Sequence, residues 1–129
     1  MGKKQIILCD TNIFIHLLRG DSNIHQQLKS IGQENIAYSI ITKAEIFQGA
    51  FKKELHRDEQ MFGSFKLYHL NIEVSKILNG LIISYSKSHK IQIPDALIAA
   101  TAIAHNLPLF TLNIKDFDFI PEIKLHKPA

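Results

Sequence analysis

Four acidic residues lie at the ends of predicted strands or near the starts of predicted helices. Asp10 directly follows the apolar run "IILC", and Asp116 follows the run "LPLFTL". Glu45 is expected in the first turn of the helix after the second strand, and Asp95 in the first turn of the helix before the fourth. In a parallel sheet the functional crevice lies beyond the carboxyl ends of the strands. We therefore expect these four carboxylates to converge on one crevice.

Each acid, taken alone, also has an ordinary structural explanation. Asp10 could be a helix N-cap, and Thr42 with Glu45 matches a capping box. Asp95 could complement a helix dipole, and Asp116 could form a side-chain turn. The set is harder to explain in this way, because converging carboxylates raise one another's pKa and destabilise the fold unless a cation lies among them. Hard oxygen ligands select Mg²⁺ or Mn²⁺.

Hydroxyl and amide side chains accompany the acids. They could orient the carboxylates or bound waters, or they could serve only as turn and capping residues. The helix after Asp95 is apolar nearly all round ("ALIAATAIA"), which is typical of a buried helix that would hold Asp95 rigidly. The polar residues concerned are Thr11, Asn12, Thr111 and Asn113.

Short apolar runs alternate with helical patterns along the chain. The predicted strands cover residues 5–9, 35–41, 65–70 and 107–112, with a short edge strand at 122–126. Helices are predicted over 10–20, 22–32, 42–60, 72–90 and 94–105, with Gly80 as a close-packing point and Pro94 at a first helical position. This alternation predicts an α/β fold, a three-layer α/β/α sandwich with a largely parallel central sheet. Residues 1–129 are expected to form a single domain.

Composition limits the function classes. With 46% hydrophobic and 21% charged residues, the 129-residue chain is typical of a globular domain. A single cysteine excludes an internal disulfide, and no apolar run approaches a membrane span, so we expect a cytoplasmic protein without a membrane partner. The net charge of +3 permits a polyanionic partner without requiring one. A group of basic residues could follow such a polyanion or form a solvated helix face: Lys43, Lys52, Lys53 and Arg57.

Three segments together resemble a known family. "LCDTNIFI", "SIITKAEIFQG" and "IPDALIAATAIAHNLPLFTLNIKDF" are similar to the PIN-domain ribonucleases, most closely the VapC-type toxins of bacterial toxin–antitoxin systems. The resemblance extends over residues 6–125, and its last segment is the most specific. One departure is Lys90, since family members often carry glycine before the Pro-Asp pair. The family's acidic quartet falls on Asp10, Glu45, Asp95 and Asp116, and its polar positions fall on Thr111 and Asn113, with Asn12 beside the first acid.

The resemblance implies a PIN-like fold and metal-dependent endonucleolytic cleavage of RNA with Mg²⁺ or Mn²⁺. Asp10, Asp95 and Asp116 would be metal ligands, while Glu45 could be a ligand or could orient the attacking water. The four basic residues above would contact the RNA backbone, and a single-stranded loop is the expected target. The family's toxins typically form homodimers and are neutralised by a small antitoxin protein, so we expect both kinds of partner.

Other classes remain open at this point. A PIN nuclease of RNA processing, without a toxin role, would share the same acids. A phosphoacceptor receiver module would need two adjacent acids after the first strand, where this chain has Asp10, Thr11 and Asn12. In a non-catalytic protein-binding domain the acids would only cap helices. The seven histidines show no H-x-H or H-x₃-H pair that would favour zinc, and Cys9 is predicted to be a small core residue.

Overall fold

The computed structural model describes residues 5–128, which form a parallel sheet flanked by helices. The strands are β1 Ile7–Cys9, β2 Ile36–Ser39, β3 Lys66–Tyr68 and β4 Leu109–Phe110. The helices are α1 Thr11–Leu18, α2 Ser22–Ile31, α3 Ile40–Gly49, α4 Leu55–Gly63, α5 Ile72–Tyr85 and α6 Ile93–Ala104. Short 3₁₀ turns cover Gln33–Asn35, Lys52–Glu54 and Ile114–Asp116. The predicted domain also includes residues 1–4 and 129, which lie outside the described residues.

The sheet is parallel throughout, with the strand order β3-β2-β1-β4. Leu8 of β1 pairs with Ala37 on one side and with Leu109 on the other. The chain therefore moves outward in opposite directions from β1, which makes the gap between β1 and β4 a topological switch point. The edge strand predicted at 122–126 is reduced to one parallel bridge, between Leu109 and Leu125.

The two faces of the sheet bury separate apolar clusters, which confirms the three-layer prediction. Ile7 and Cys9 point to one face, where they pack with residues of α1 to α4. Leu8 points to the opposite face, where it packs with residues of α5 and α6. A strand that is covered on both faces is apolar at every position, which is why the run "IILC" predicts a buried strand.

The prediction of one long helix over residues 42–60 is wrong at its start. Helix α3 begins at Ile40, because the Ser39 hydroxyl accepts the backbone N–H of Ile41 at 3.2 Å and acts as the N-cap. The strand predicted to run to residue 41 accordingly ends at Ser39. The Thr42–Glu45 capping box is therefore also wrong, and Glu45 lies in the second turn of α3 rather than in its first.

The same predicted helix is interrupted in its middle. Helix α3 ends at Gly49, and the backbone is extended at Ala50 and Phe51. The Glu54 carboxylate then accepts the backbone N–H of Phe51 at 2.9 Å, which stabilises a new helical start before α4. A glycine lowers helix propensity at the break, but the local hydrogen bond determines where the chain resumes.

Three expectations for the segment after β3 need correction. Helix α5 ends at Tyr85, and the residues up to His89 form turns rather than continuing the helix to Lys90. Gly80 is exposed, and a Cβ added there would meet no atom within 4 Å, so it is not a close-packing point. Helix α6 begins at Ile93, so Pro94 lies in its first turn but at the second position rather than at the predicted first. None of the helices within residues 5–128 has the length and apolar character needed to cross a membrane.

Candidate active site

Asp10 lies at the carboxyl end of β1 and is almost fully buried, with 5% of its surface exposed. One carboxylate oxygen, Oδ1, accepts the backbone N–H of Thr11 at 2.7 Å and caps α1. The other, Oδ2, accepts the hydroxyl of Thr111 at 2.8 Å. Thr111 follows β4, so this hydrogen bond joins the two sides of the switch point. Both oxygens of Asp10 are therefore held in fixed positions.

Glu45 is oriented by two threonines. The Thr11 hydroxyl donates to Glu45 Oε1 at 2.8 Å, and it lies 3.0 Å from the hydroxyl of Thr42. A hydroxyl has one proton, and that of Thr11 is used on Glu45, so Thr42 donates to Thr11. Thr42 is completely buried. This relay connects α3 to α1 and fixes the Glu45 side chain beside the helix that Asp10 caps.

Asp95 and Asp116 have no such partners. Asp95 lies in the first turn of α6, and Asp116 ends the 3₁₀ turn after β4. Within residues 5–128, neither carboxylate accepts a hydrogen bond or forms an ion pair with a lysine, arginine or histidine. Thr111 Oγ1 accepts the backbone N–H of Asn113 at 3.0 Å, which ties the loop leading to Asp116 to the Asp10 side of the crevice.

The four carboxylates lie within electrostatic range of one another. Burial raises the pKa of Asp95, and the charges of Asp10, Asp116 and Glu45 raise it further, to about 6. Burial likewise raises the pKa of Asp10, with smaller contributions from Glu45 and Asp116, although its hydrogen bonds with Thr111 and Thr11 act in the opposite direction. The structure thus brings together the four acids that the sequence places far apart.

This donor set fits a hydrated, hard cation. Its groups are carboxylates supported by hydroxyls, and no basic side chain of the described residues pairs with them. No three or more His, Cys, Asp or Glu side chains between residues 5 and 128 are arranged to hold a metal ion by themselves. Magnesium usually keeps several waters and is bound through one or two carboxylates plus substrate phosphates, so the arrangement suits it better than a metal that requires a full protein shell.

The predicted supporting residues separate into two groups. Thr11 and Thr111 make direct hydrogen bonds to acids, as described above. Asn12 instead accepts the backbone N–H of Leu112 at a long 3.4 Å, and its buried amide nitrogen has no partner among the described residues. Asn113 is exposed and contributes its backbone N–H to the loop.

Of the four residues predicted to contact RNA, two form salt bridges within the described part of the chain. The Lys43 ammonium is 2.8 Å from Glu59, and the Arg57 guanidinium is 3.1 Å from the buried carboxylate of Asp58. Lys52 and Lys53 are exposed on the 3₁₀ turn before α4. A role in RNA contact remains a prediction for all four residues, since nothing in these geometries tests it.

Two further basic residues, which were not predicted to contact RNA, lie beside two of the acids. Lys90 and Lys115 line a pocket of about 70 Å³ together with Asp95 and Asp116. Lys115 could have been noticed because it directly precedes Asp116. Lys90 stands out in the sequence only as a departure from the glycine that family members often carry, and the fold brings the turn after α5 to this crevice.

Cys9 is completely buried in the core beside β2 and β4, as predicted. Burial raises the pKa of its thiol well above the ordinary value, and the Asp10 charge raises it further. A thiol held in its neutral form is a poor nucleophile, so Cys9 is a structural residue.

A parallel α/β/α domain with four acids around its switch-point crevice defines the class of protein. The chain belongs to the PIN domain family, whose pattern matches residues 7–121. It is 33% identical over 129 aligned residues to a ribonuclease VapC of Rickettsia bellii, covering 92% of this chain and 93% of that protein.

Solved structures show the same similarity. The fold superposes on a toxin–antitoxin complex from Klebsiella pneumoniae with a TM-score of 0.78 and 32% identity, covering 95% of this chain and 99% of that one. It also superposes on VapBC2 from Rickettsia felis, bound to a DNA fragment from their promoter, with a TM-score of 0.81 and 25% identity over 95% of this chain and 98% of that one. These similarities support neither a receiver module nor a domain whose acids only cap helices.

Proposed function

We propose that the protein is a divalent-metal-dependent endoribonuclease of the VapC type. The observation that carries the proposal is the convergence of four acids, from segments far apart in the chain, on one crevice without a basic partner among the described residues. Such a cluster destabilises the fold unless a cation neutralises it. Burial raises the pKa of Asp95 most, and the charges of the other three acids raise it further. The relatives named as ribonucleases provide the chemical class of the reaction.

In this proposal, Asp10, Asp95 and Asp116 hold Mg²⁺ or Mn²⁺, with one or two of the three carboxylates in direct contact and the rest acting through coordinated water. Glu45 either completes this set or orients the attacking water. When bound, the cation would supply positive charge for the pentavalent phosphate and lower the pKa of a coordinated water. Mn²⁺ accepts the same hard oxygen donors as Mg²⁺.

The residues around the acids have defined tasks. Thr111 and the N–H of Thr11 each occupy one lone pair of Asp10, so the carboxylate keeps a fixed orientation and still has lone pairs to offer. Thr11 donates to Glu45 Oε1, which leaves Oε2 of Glu45 available to accept a proton from the attacking water. The substrate is RNA, most readily an unpaired loop whose nucleotides can be drawn into the crevice.

The test is cleavage of a structured RNA by the purified protein. We expect cutting with Mg²⁺ or Mn²⁺, none with excess chelator, and none by the Asp116→Asn variant. Glu73→Gln is the matched control, because Glu73 is, like Asp116, an exposed acid in a helical turn, but it lies on α5 and does not line the pocket that Asp95 and Asp116 share. Equal cleavage by the wild type with and without chelator would refute the metal requirement.

The proposed physiological role is that of a toxin held inactive by a small partner protein, as in the toxin–antitoxin complexes to which the fold is similar. A groove of about 430 Å³ beside Glu45 could accept an apolar partner segment. Its wall includes Phe51, which is 72% exposed, together with Ile46 and Leu18. A segment bound there would lie next to Glu45 and restrict access of RNA to this side of the crevice.

Growth experiments separate a toxin from an RNA-processing nuclease. Expression of the toxin should arrest growth, and coexpression of the small protein encoded beside it should restore growth and abolish cleavage in the purified complex. A nuclease of RNA processing would cause no arrest that such a partner relieves.

We also propose that the whole chain is one nuclease domain, working in the cytoplasm as a homodimer. Helix α5 offers a surface for the second copy, because Ile72 and Ile83 are 76% and 74% exposed. They are three turns apart and therefore lie on the same side of the helix. Light scattering should give twice the chain mass, and Ile83→Glu should reduce it to that of one chain.

A further inference from the structure

The pocket beside Asp95 and Asp116 has a basic wall. Lys90 and Lys115 line it together with Gln92 and the aromatic residues described below. Neither ammonium group has a carboxylate within 4 Å among the described residues, although two carboxylates line the same pocket. Two unpaired cations next to the proposed cleavage site are placed to contact an anionic ligand rather than to neutralise the acids.

Lys90 is held in a backbone conformation that lysine rarely adopts. Its φ is 52°, in the left-handed region that normally favours glycine. The turn is closed by the N–H of Ile91, which donates to the carbonyl of Tyr85 at 3.4 Å, and by the Gln92 amide, which donates to the carbonyl of Lys90 at 3.0 Å. The left-handed residue that follows the end of a helix is usually glycine. A side chain kept where the backbone disfavours it suggests that the side chain itself has a role.

An aromatic surface adjoins the two lysines. The His89 ring stacks on Phe119 with ring centroids 4.2 Å apart and planes 13° from parallel, and Tyr85 packs edge-on against both rings. The Ser88 hydroxyl lies 2.8 Å from His89 Nδ1 and fixes the ring orientation. His89 is exposed, so one ring face is supported by Phe119 while the ring remains accessible to solvent. Such a supported ring is a suitable surface for stacking a nucleic-acid base.

We propose that this pocket is a nucleotide subsite, in which Lys90 and Lys115 contact a backbone phosphate next to the cleaved bond and His89 stacks with the adjacent base. The inference rests on the proposed function, because it takes RNA as the ligand. It locates substrate binding on the turn after α5 and the 3₁₀ turn after β4, away from the basic group on α3 and α4.

The test measures binding of a short fluorescein-labelled single-stranded RNA by anisotropy in Mg²⁺. A Glu45→Gln background prevents cleavage without altering a residue that lines the pocket. Lys90→Gly and Lys115→Ala should each raise Kd by roughly three- to tenfold, and each should reduce the slope of log Kd against log salt by about 0.7. Lys87→Ala is the matched control, because Lys87 is exposed in the same turn but does not line the pocket.

Two further measurements distinguish a lost contact from a damaged fold. Lys90→Gly should melt at or above the parent temperature, since glycine adopts a positive φ without the Cβ penalty. His89→Ala should raise Kd by roughly fivefold without changing the salt slope, and His89→Phe should restore affinity, as expected for stacking.

The subsite would be refuted if Lys90→Gly and Lys115→Ala bound RNA as tightly as Lys87→Ala, even while the wild type cleaved RNA normally. If the pocket variants bound RNA more weakly but the wild type never cleaved RNA, the result would support the subsite and refute the proposed nuclease activity. The two ideas can therefore fail separately.

Discussion

Replacing Asp95 with asparagine tests whether this acid belongs to a charged cluster or only complements a helix dipole. If Asp95 only interacts with the N-terminus of α6, Asp95→Asn should cost about 0.3–1 kcal/mol of stability and leave activity intact. If it belongs to the cluster, the substitution removes a destabilising charge. The two explanations therefore predict opposite signs for the change in stability.

The size of the effect follows from the raised pKa, to which burial contributes most and the charges of Asp10, Asp116 and Glu45 add. Asp95 has a pKa of about 6 in the fold instead of the ordinary 3.8, so its ionisation at neutral pH costs about 3 kcal/mol, at about 1.36 kcal/mol per pKa unit. Because Asp95 is only partly buried, solvent screening reduces this to about 1.5 kcal/mol. Subtracting about 0.5 kcal/mol for the lost dipole interaction leaves a net gain of about 1 kcal/mol. This corresponds to a rise in Tm of about 2–6 °C.

The pH dependence has a defined sign. A carboxyl whose pKa is raised by folding destabilises the folded state once it ionises, so the penalty is complete above about pH 6. It decreases as pH falls below about 6, because the folded form then binds a proton while the unfolded form is still ionised, and it is absent below 3.8, where both forms are protonated. The advantage of Asp95→Asn in chelator should be full at pH 7 and smaller at pH 5.

Thermal melts with chelator and with Mg²⁺, alongside RNA cleavage, provide the assay. In Mg²⁺ the wild type should gain stability by binding the ion, while Asp95→Asn should gain less and remain inactive. Glu73→Gln should show neither a gain in chelator nor a loss of activity, because Glu73 is an exposed first-turn acid of α5. An Asp95→Asn protein that is active and less stable than the wild type would refute the reasoning.

Two further substitutions test the threonines. Thr111→Val removes the hydrogen bond that lowers the pKa of Asp10, so the pKa of Asp10 should rise further. The acid limb of the pH profile of kcat/KM should then move to higher pH. An unchanged limb would count against a role for ionised Asp10 in the reaction. Thr11→Val removes the hydroxyl that donates to Glu45. It should cost about 1 kcal/mol of stability, measured by denaturant unfolding, and lower kcat by about tenfold, measured by single-turnover cleavage. An unchanged kcat would mean that the orientation of Glu45 is unimportant.

Much of the fold could be predicted because the strands are covered on both faces. Runs such as "IILC" are apolar at every position, and their order along the chain predicts a parallel sheet. The break between α3 and α4 could not be predicted in the same way. It depends on a side-chain hydrogen bond from Glu54 to the backbone of Phe51, and the helical periodicity on both sides hides it.

The acids of the site could be predicted from strand ends and helix starts, whereas their partners could not. Thr42 illustrates the difference, because its spacing from Glu45 suggested a capping box within one helix. In the structure Thr42 is a buried residue of that helix and lies 3.0 Å from the Thr11 hydroxyl of another. Contacts between segments 31 residues apart depend on how α1 packs on α3, which local sequence rules do not contain.

The structural and catalytic explanations of Asp10 are compatible, although the sequence presents them as alternatives. Oδ1 caps α1 and Oδ2 accepts from Thr111, so the carboxylate stabilises the fold and is oriented by the same hydrogen bonds. A carboxylate can accept about four hydrogen bonds, which leaves lone pairs for a cation. Asp95 is the opposite case, since its carboxylate accepts no hydrogen bond from the described residues. The crevice thus combines an acid that is anchored by hydrogen bonds with an acid that is not, and folding raises the pKa of both. A bound cation would offset the charge of either carboxylate.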